Sequence, residues 1–233
     1  MNFRDYPLKK VITILLTYCI LLALPSCIPF YPSLDAIPTT DWWNEYSPSI
    51  EAFQYNENCP RVCWLGIHPG TTSRETATEI LKTTNHIEQS SLQISERKIV
   101  VNWYDDIKKK SYSIVTMYLD NGTIESIHFS NMQPFLVENI VELLGNPADI
   151  SMELSWEPDA IIVVYRIHFS EQNAEIIAYP KDIKAGPNPE DLVQALFLNT
   201  DFDYENTKPW LGYGHTEKYL TDSDYQLFLE LIQ

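Results

Sequence analysis

The stretch YSIVTMYLD-NG-TIESIHF, Tyr112 to Phe129, decides the fold. Tyr112–Leu119 and Thr123–Phe129 are rich in β-branched and aromatic residues and read as two strands. Asn121-Gly122 between them is the strongest short hairpin signal, because a two-residue type I′ turn needs positive φ at both central positions. Asn121-Gly122-Thr123 also matches a glycosylation sequon, but the turn is the better explanation of this tripeptide. Upstream, Ile99-Val100-Val101-Asn102-Trp103 reads as a third strand. Before it, Thr72 and Glu75 form a capping-box pattern, and Ala77, Ile80, Leu81 and Thr84 share one helical face.

Downstream the same order returns. Pro134 is placed to start a helix whose apolar stripe is Leu136, Val137, Ile140, Val141 and Leu144, and Gly145-Asn146-Pro147 stops it. Strands are expected over Ile150–Trp156, Ala160–Phe169 and Ala174–Tyr179, the last two joined by a turn at Ser170–Asn173. Asn188-Pro189 then reads as the start of a short helix leading into a strand at Ala195–Asn199. Thr221–Gln233 reads as a closing helix with Thr221 and Asp224 as its capping pair. The expected class is α+β: two pseudo-repeated units, each a helix followed by antiparallel strands, with the helices packed on one face of the sheet. The expected organisation is a lead-in over 27–55, units at 56–130 and 131–185, and a C-terminal extension over 186–233.

The N-terminus carries an address. Arg4, Lys9 and Lys10 precede an uncharged run from Val11 to Leu24, followed by Pro25-Ser26-Cys27. A helix over that run reaches about 21 Å, short of the roughly 30 Å of a hydrocarbon core. A cleaved targeting segment over 1–26 is therefore expected, with Cys27 acylated in the manner of a bacterial lipoprotein and the protein held in the cell envelope outside the cytoplasm. Residues 28–40 hold Pro29, Pro32 and Pro38 and read as a tether.

The chain carries 16 basic and 32 acidic residues, a net charge of −16. Without residues 1–26 the charge becomes −18. Such a surface repels nucleic acid and anionic headgroups, so no nucleic-acid partner is expected. In an exported chain, Cys59 and Cys63 are expected to form a disulfide, helped by the turn that Pro60 favours. Two free thiols are the alternative, and two cysteines alone are too few ligands for zinc.

Motifs for catalysis are lacking. None of His68, His86, His128, His168 and His215 lies three or four residues from another. His128 and His168 each precede a Phe that should point inward, so both are expected at the surface. Asp201–Glu205 alternates carboxylates but lacks the glycine and distal glutamate of a calcium loop. Gly66–Gly70 lacks the Lys-Ser/Thr of a phosphate loop, and no serine sits in a nucleophile elbow. Lys108–Lys110 reads as a solvated turn. No metal, cofactor or catalytic residue is expected. Aromatic residues in irregular segments, Trp42, Trp43, Trp210 and Tyr213, are the candidates for contact with a partner.

Gly70-Thr71-Thr72 with Ala77, and Leu144-Gly145-Asn146-Pro147, resemble the two halves of the motif in small outer-membrane-assembly lipoproteins and the similar β-lactamase inhibitory proteins. The resemblance spans roughly residues 66–180, with one half of the motif in each unit. It implies a helix-on-sheet scaffold, often tandem, that binds proteins without catalysis. It carries over no functional residue. The expected function is a non-catalytic, lipid-anchored binding or assembly module whose partners are the membrane, through the N-terminal lipid, and a protein or small ligand. A ligand-sensing lipoprotein with an aromatic groove and a hydrolytic enzyme are the alternatives.

Overall fold

In the computed structural model the hairpin at Asn121-Gly122 forms as the sequence predicts, with φ of +48° and +80° at the two turn residues. The structure describes residues 50–56, 59–104, 112–132, 135–157, 160–182, 184–199, 207–214 and 216–231. Cys27, Trp42, Trp43, Lys108–Lys110 and Asp201–Glu205 lie outside the described residues.

Eleven strands are described: β1 (Phe53–Asn56), β2 (Cys59–Trp64), β3 (Gln93–Ile94), β4 (Lys98–Tyr104), β5 (Tyr112–Asp120), β6 (Thr123–Ser130), β7 (Asp149–Glu157), β8 (Ala160–Phe169), β9 (Ala174–Tyr179), β10 (Leu192–Leu198) and β11 (Lys208–Pro209). β1 and β2 form their own hairpin. The other nine make a single sheet in the order β11-β7-β8-β9-β10-β6-β5-β4-β3, antiparallel throughout. Three α-helices accompany them: α1 (Arg74–Thr83), α2 (Val137–Leu144) and α3 (Asp222–Leu231). Among the described residues no helix is long and apolar enough to cross a membrane.

The α+β expectation of paired helix-plus-strand units is overturned. Among the described residues one nine-stranded sheet dominates, with few and short helices. The physical reason lies in β10. The segment read as a helix from Pro189 is a turn, closed by Asp191 N–H to Asn188 O at 3.1 Å. The strand after this turn pairs with β9 on one side and β6 on the other. That pairing merges the strands of both supposed units into one hydrogen-bonded surface, so neither unit has a sheet of its own.

Alternation along each strand builds the core. Ile99, Val101 and Trp103, then Val115 and Met117, then Ile127 and Phe129 point to one face, as do Leu196, Ile176, Tyr165, Ile167 and Ile150. The buried residues of the helices, Ala77 and Leu81, Val137, Ile140 and Leu144, and Phe228, join the same core. At its centre Phe53, Trp64, Trp103, Phe129 and Phe135 meet with ring centroids 5.1 to 6.3 Å apart. Each such pair contributes about 0.5–1.5 kcal/mol beyond area burial.

The cap of α1 sits one residue later than expected. Ser73 Oγ accepts from Thr76 N–H at 3.1 Å, while Thr72 Oγ1 accepts from His68 N–H at 2.8 Å. At α2, Asn139 Oδ1 accepts the Leu136 N–H at 3.0 Å, and Gly145 ends the helix with φ +87°.

Candidate functional site

β11 lays its two residues along the start of β7, and Trp210 N–H donates to Ala148 O at 3.0 Å. The chain then passes Gly212 and Gly214, at φ +95° and +83°, conformations that a β-carbon would strain. The buried Tyr219 hydroxyl holds this loop from below. It accepts from Leu211 N–H at 3.0 Å and donates to Gly212 O at 2.6 Å. Gly214 N–H donates to Pro187 O at 2.7 Å. Residues 210–214 are therefore fixed in place at four points.

The surface of this loop is apolar. Leu211 is 63% exposed and Tyr213 37% exposed. The Trp210 ring stands edge-on to Tyr213 at 5.4 Å and stacks on Tyr219 at 6.0 Å. Burial, with the nearby carboxylates of Glu138 and Glu142 on α2, pushes the Tyr213 hydroxyl pKa up. The patch thus joins aliphatic and aromatic surface to negative charge. Of the four aromatic residues singled out in the sequence, the structure brings Trp210 and Tyr213 together; Trp42 and Trp43 are outside its description. Sequence reasoning missed Leu211, Tyr219, Glu138 and Glu142. The Gly-Tyr-Gly spacing at 212–214 was the available signal of a constrained loop.

The sheet face opposite the core holds two further groups. Tyr118, His128 and Phe197 follow one another, with centroids 4.6 and 4.8 Å apart. Burial lowers the His128 pKa, so its imidazole is held neutral. Further along the same face, His168 Nδ1 lies 3.0 Å from Glu175 Oε2, and Arg166 Nη1 lies 3.1 Å from Glu175 Oε1. His168 does point away from Phe169, but it is buried rather than at the surface. The register explains this correction: His168 sits between Asp149 on β7 and Glu175 on β9. There its ring nitrogen faces the Glu175 carboxylate across the strand pair.

The third group is the disulfide between Cys59 and Cys63. Four residues of extended strand would separate their Cα atoms by about 13 Å. The observed separation is 5.9 Å. Opposite β1, Asn56 pairs with Cys59 and Gln54 with Cys63, so Pro60–Val62 bulge out and fold the two cysteines together. The chain then reverses at Leu65 and Gly66, φ +53° and +77°, with Trp64 and Ile67 exchanging both N–H···O bonds. That reversal returns His68 to the cysteines. Its Nε2 lies 3.6 Å from Cys59 Sγ. Cys59, Cys63 and His68 are the group of three metal-ligand side chains found among the described residues. The spacing of the cysteines suggests their pairing, but nothing local in the sequence connects His68 to them.

Comparison of the chain with protein-family models, with curated proteins and with solved structures finds no match.

Proposed function

We propose that this chain is a non-catalytic, lipid-anchored binding module of the cell envelope that grips a protein partner through the Trp210–Gly214 loop. The observation that carries the reading is the exposed Leu211 and Tyr213 on a backbone already pinned by Tyr219. Preordered apolar anchors lose little freedom on binding, and aromatic residues in fixed positions dominate interface energetics. Glu138 and Glu142 beside the loop, and the net charge of −16, favour an apolar segment flanked by lysine or arginine. Lys9-Lys10, the run Val11–Leu24 and Ser26-Cys27 support export and acylation at Cys27. The test is cross-linking in native membranes followed by affinity capture, with Leu211→Asp as the comparison. The wild type should capture a defined partner that Leu211→Asp loses; equal capture by both would sink the reading. Separately, Cys27→Ser should shift the protein out of the membrane fraction.

The hydrolytic alternative draws on the buried His168–Glu175 pair, a base positioned by a carboxylate. His168→Ala separates the two readings, since capture of the partner should survive it.

A further inference from the structure

We propose that the Cys59–Cys63 disulfide is reducible and that its reduced form, with His68, binds a divalent thiophilic cation, zinc being the test ion. This rests on the three side chains alone and does not depend on the partner-binding reading.

The ligand geometry is nearly in place. Zinc bonds of about 2.3 Å to sulfur and 2.0 Å to nitrogen, at tetrahedral angles, set S···N at roughly 3.5 Å. Cys59 Sγ and His68 Nε2 are 3.6 Å apart. The two sulfurs must part to roughly 3.8 Å, which the same bond lengths require. Pro60–Val62 already bulge from the β1–β2 ladder, so this adjustment falls on backbone that makes no regular pairing. His68 is half-buried while both cysteines are buried, so entry is from the His68 side.

Charge selects the ion. Two thiolates and a neutral imidazole carry −2, and a buried site is stable only when that charge is compensated. A divalent cation brings the site to neutrality; a monovalent one leaves a buried negative charge. The disulfide form offers no thiolate and so no site. In the forward sequence a dithiol reductant passes two electrons and two protons to the Cys59–Cys63 bond and becomes a disulfide itself. Zinc then displaces one proton from each thiol to solvent, forms two Zn–S bonds and one Zn–N bond to His68, and keeps a water as fourth ligand. The disulfide thereby acts as a redox gate on metal binding.

The experiment treats the full chain with dithiothreitol in native buffer, removes the reductant without air, and titrates with cobalt and with zinc against a chromophoric chelator. The reduced chain should take up one equivalent of metal and show thiolate-to-cobalt charge-transfer absorption. The oxidised chain should show neither. His68→Ala should weaken binding at least tenfold, as loss of one of three protein ligands requires. Any of the following would overturn the proposal: a disulfide that resists dithiothreitol in the native state, a reduced chain without the absorption, equal affinity in His68→Ala, or equal binding by the oxidised chain. If reduction loosens the fold, zinc should restore the near-ultraviolet tryptophan signal; a reduced chain that stays unfolded in zinc also overturns it.

Discussion

Tyr165 donates its hydroxyl hydrogen to Asp191 Oδ2 at 2.6 Å, tying the middle of β8 to the turn that feeds β10. Asp191 is fully buried, and its carboxylate also accepts the N–H groups of Lys181 at 2.7 Å and Asn188 at 2.8 Å. One side chain therefore closes the whole connection between β9 and β10. Burial raises the Asp191 pKa despite those donors, and burial, followed by the Asp191 charge, raises Tyr165 well above its usual range.

Tyr165→Phe removes one donor from this carboxylate without changing the shape of the core. The cost of leaving a buried acceptor short of a partner is about 1–3 kcal/mol. Urea unfolding should show that loss, and an unchanged midpoint would contradict the assignment of Asp191 as the clasp of the β9–β10 connection.

His128 sets a pH dependence. Its folded pKa is depressed by burial, so the neutral form is favoured in the fold. The stability it contributes is present above the unfolded value of about 6.5 and is lost as pH falls from there through the depressed folded value. The difference between the thermal midpoints of the wild type and His128→Gln, followed from pH 7.5 to 5, should change on the acid side, the wild type falling faster. A constant gap would refute this.

Tyr219→Phe removes both the acceptor of Leu211 N–H and the donor to Gly212 O. Net hydrogen-bond contributions make a loss of about 1–2 kcal/mol the expectation. The more telling readout is local. Amide exchange at Leu211 should accelerate while exchange in β5 and β6 stays slow, and capture of the partner should weaken.

Gly122→Ala tests the hairpin backbone by itself. A β-carbon at this position meets nothing within 4 Å, yet φ is +80°. The cost is therefore conformational, about 1–2 kcal/mol. A neutral substitution would mean that the turn relaxes at no cost to the β5–β6 register.

Local chemistry was legible in the sequence, and its short range explains the rest. The Asn121-Gly122 turn, the strands Ala160–Phe169 and Ala174–Tyr179 and the Gly145 stop depend on neighbours within a few residues, and all appear. Thr72 and Ser73 both suit a helix start, and His68 decides between them, because its N–H takes the Thr72 hydroxyl. The strand expected at Ala195–Asn199 forms within β10, but the helix expected before it does not, because Asn188-Pro189 opens turns as well as helices. The conformation of the next residues is decided by β6, more than sixty residues away in sequence. The burial of His168 likewise comes from strand pairings that no local pattern encodes, whereas His68 reaches Cys59 through the tight reversal at Leu65-Gly66.

The two ends of the nine-stranded sheet have a further consequence, for crowding. Each terminal strand, β3 and β11, is only two residues long. The outer rim of β4 is also occupied, with Glu88 N–H on Asn102 O at 2.9 Å and Asn102 N–H on Ser91 Oγ at 2.8 Å. At the other rim Pro209 has no N–H to offer a newcomer. A long sheet with bare rims invites a second copy to continue it, and copies concentrated on one surface would string into ribbons. At the β3 end the next strand therefore finds few amides and carbonyls to recruit, and at the other end Pro209 withholds one, so the rim along β4 resists growth of the sheet from copy to copy.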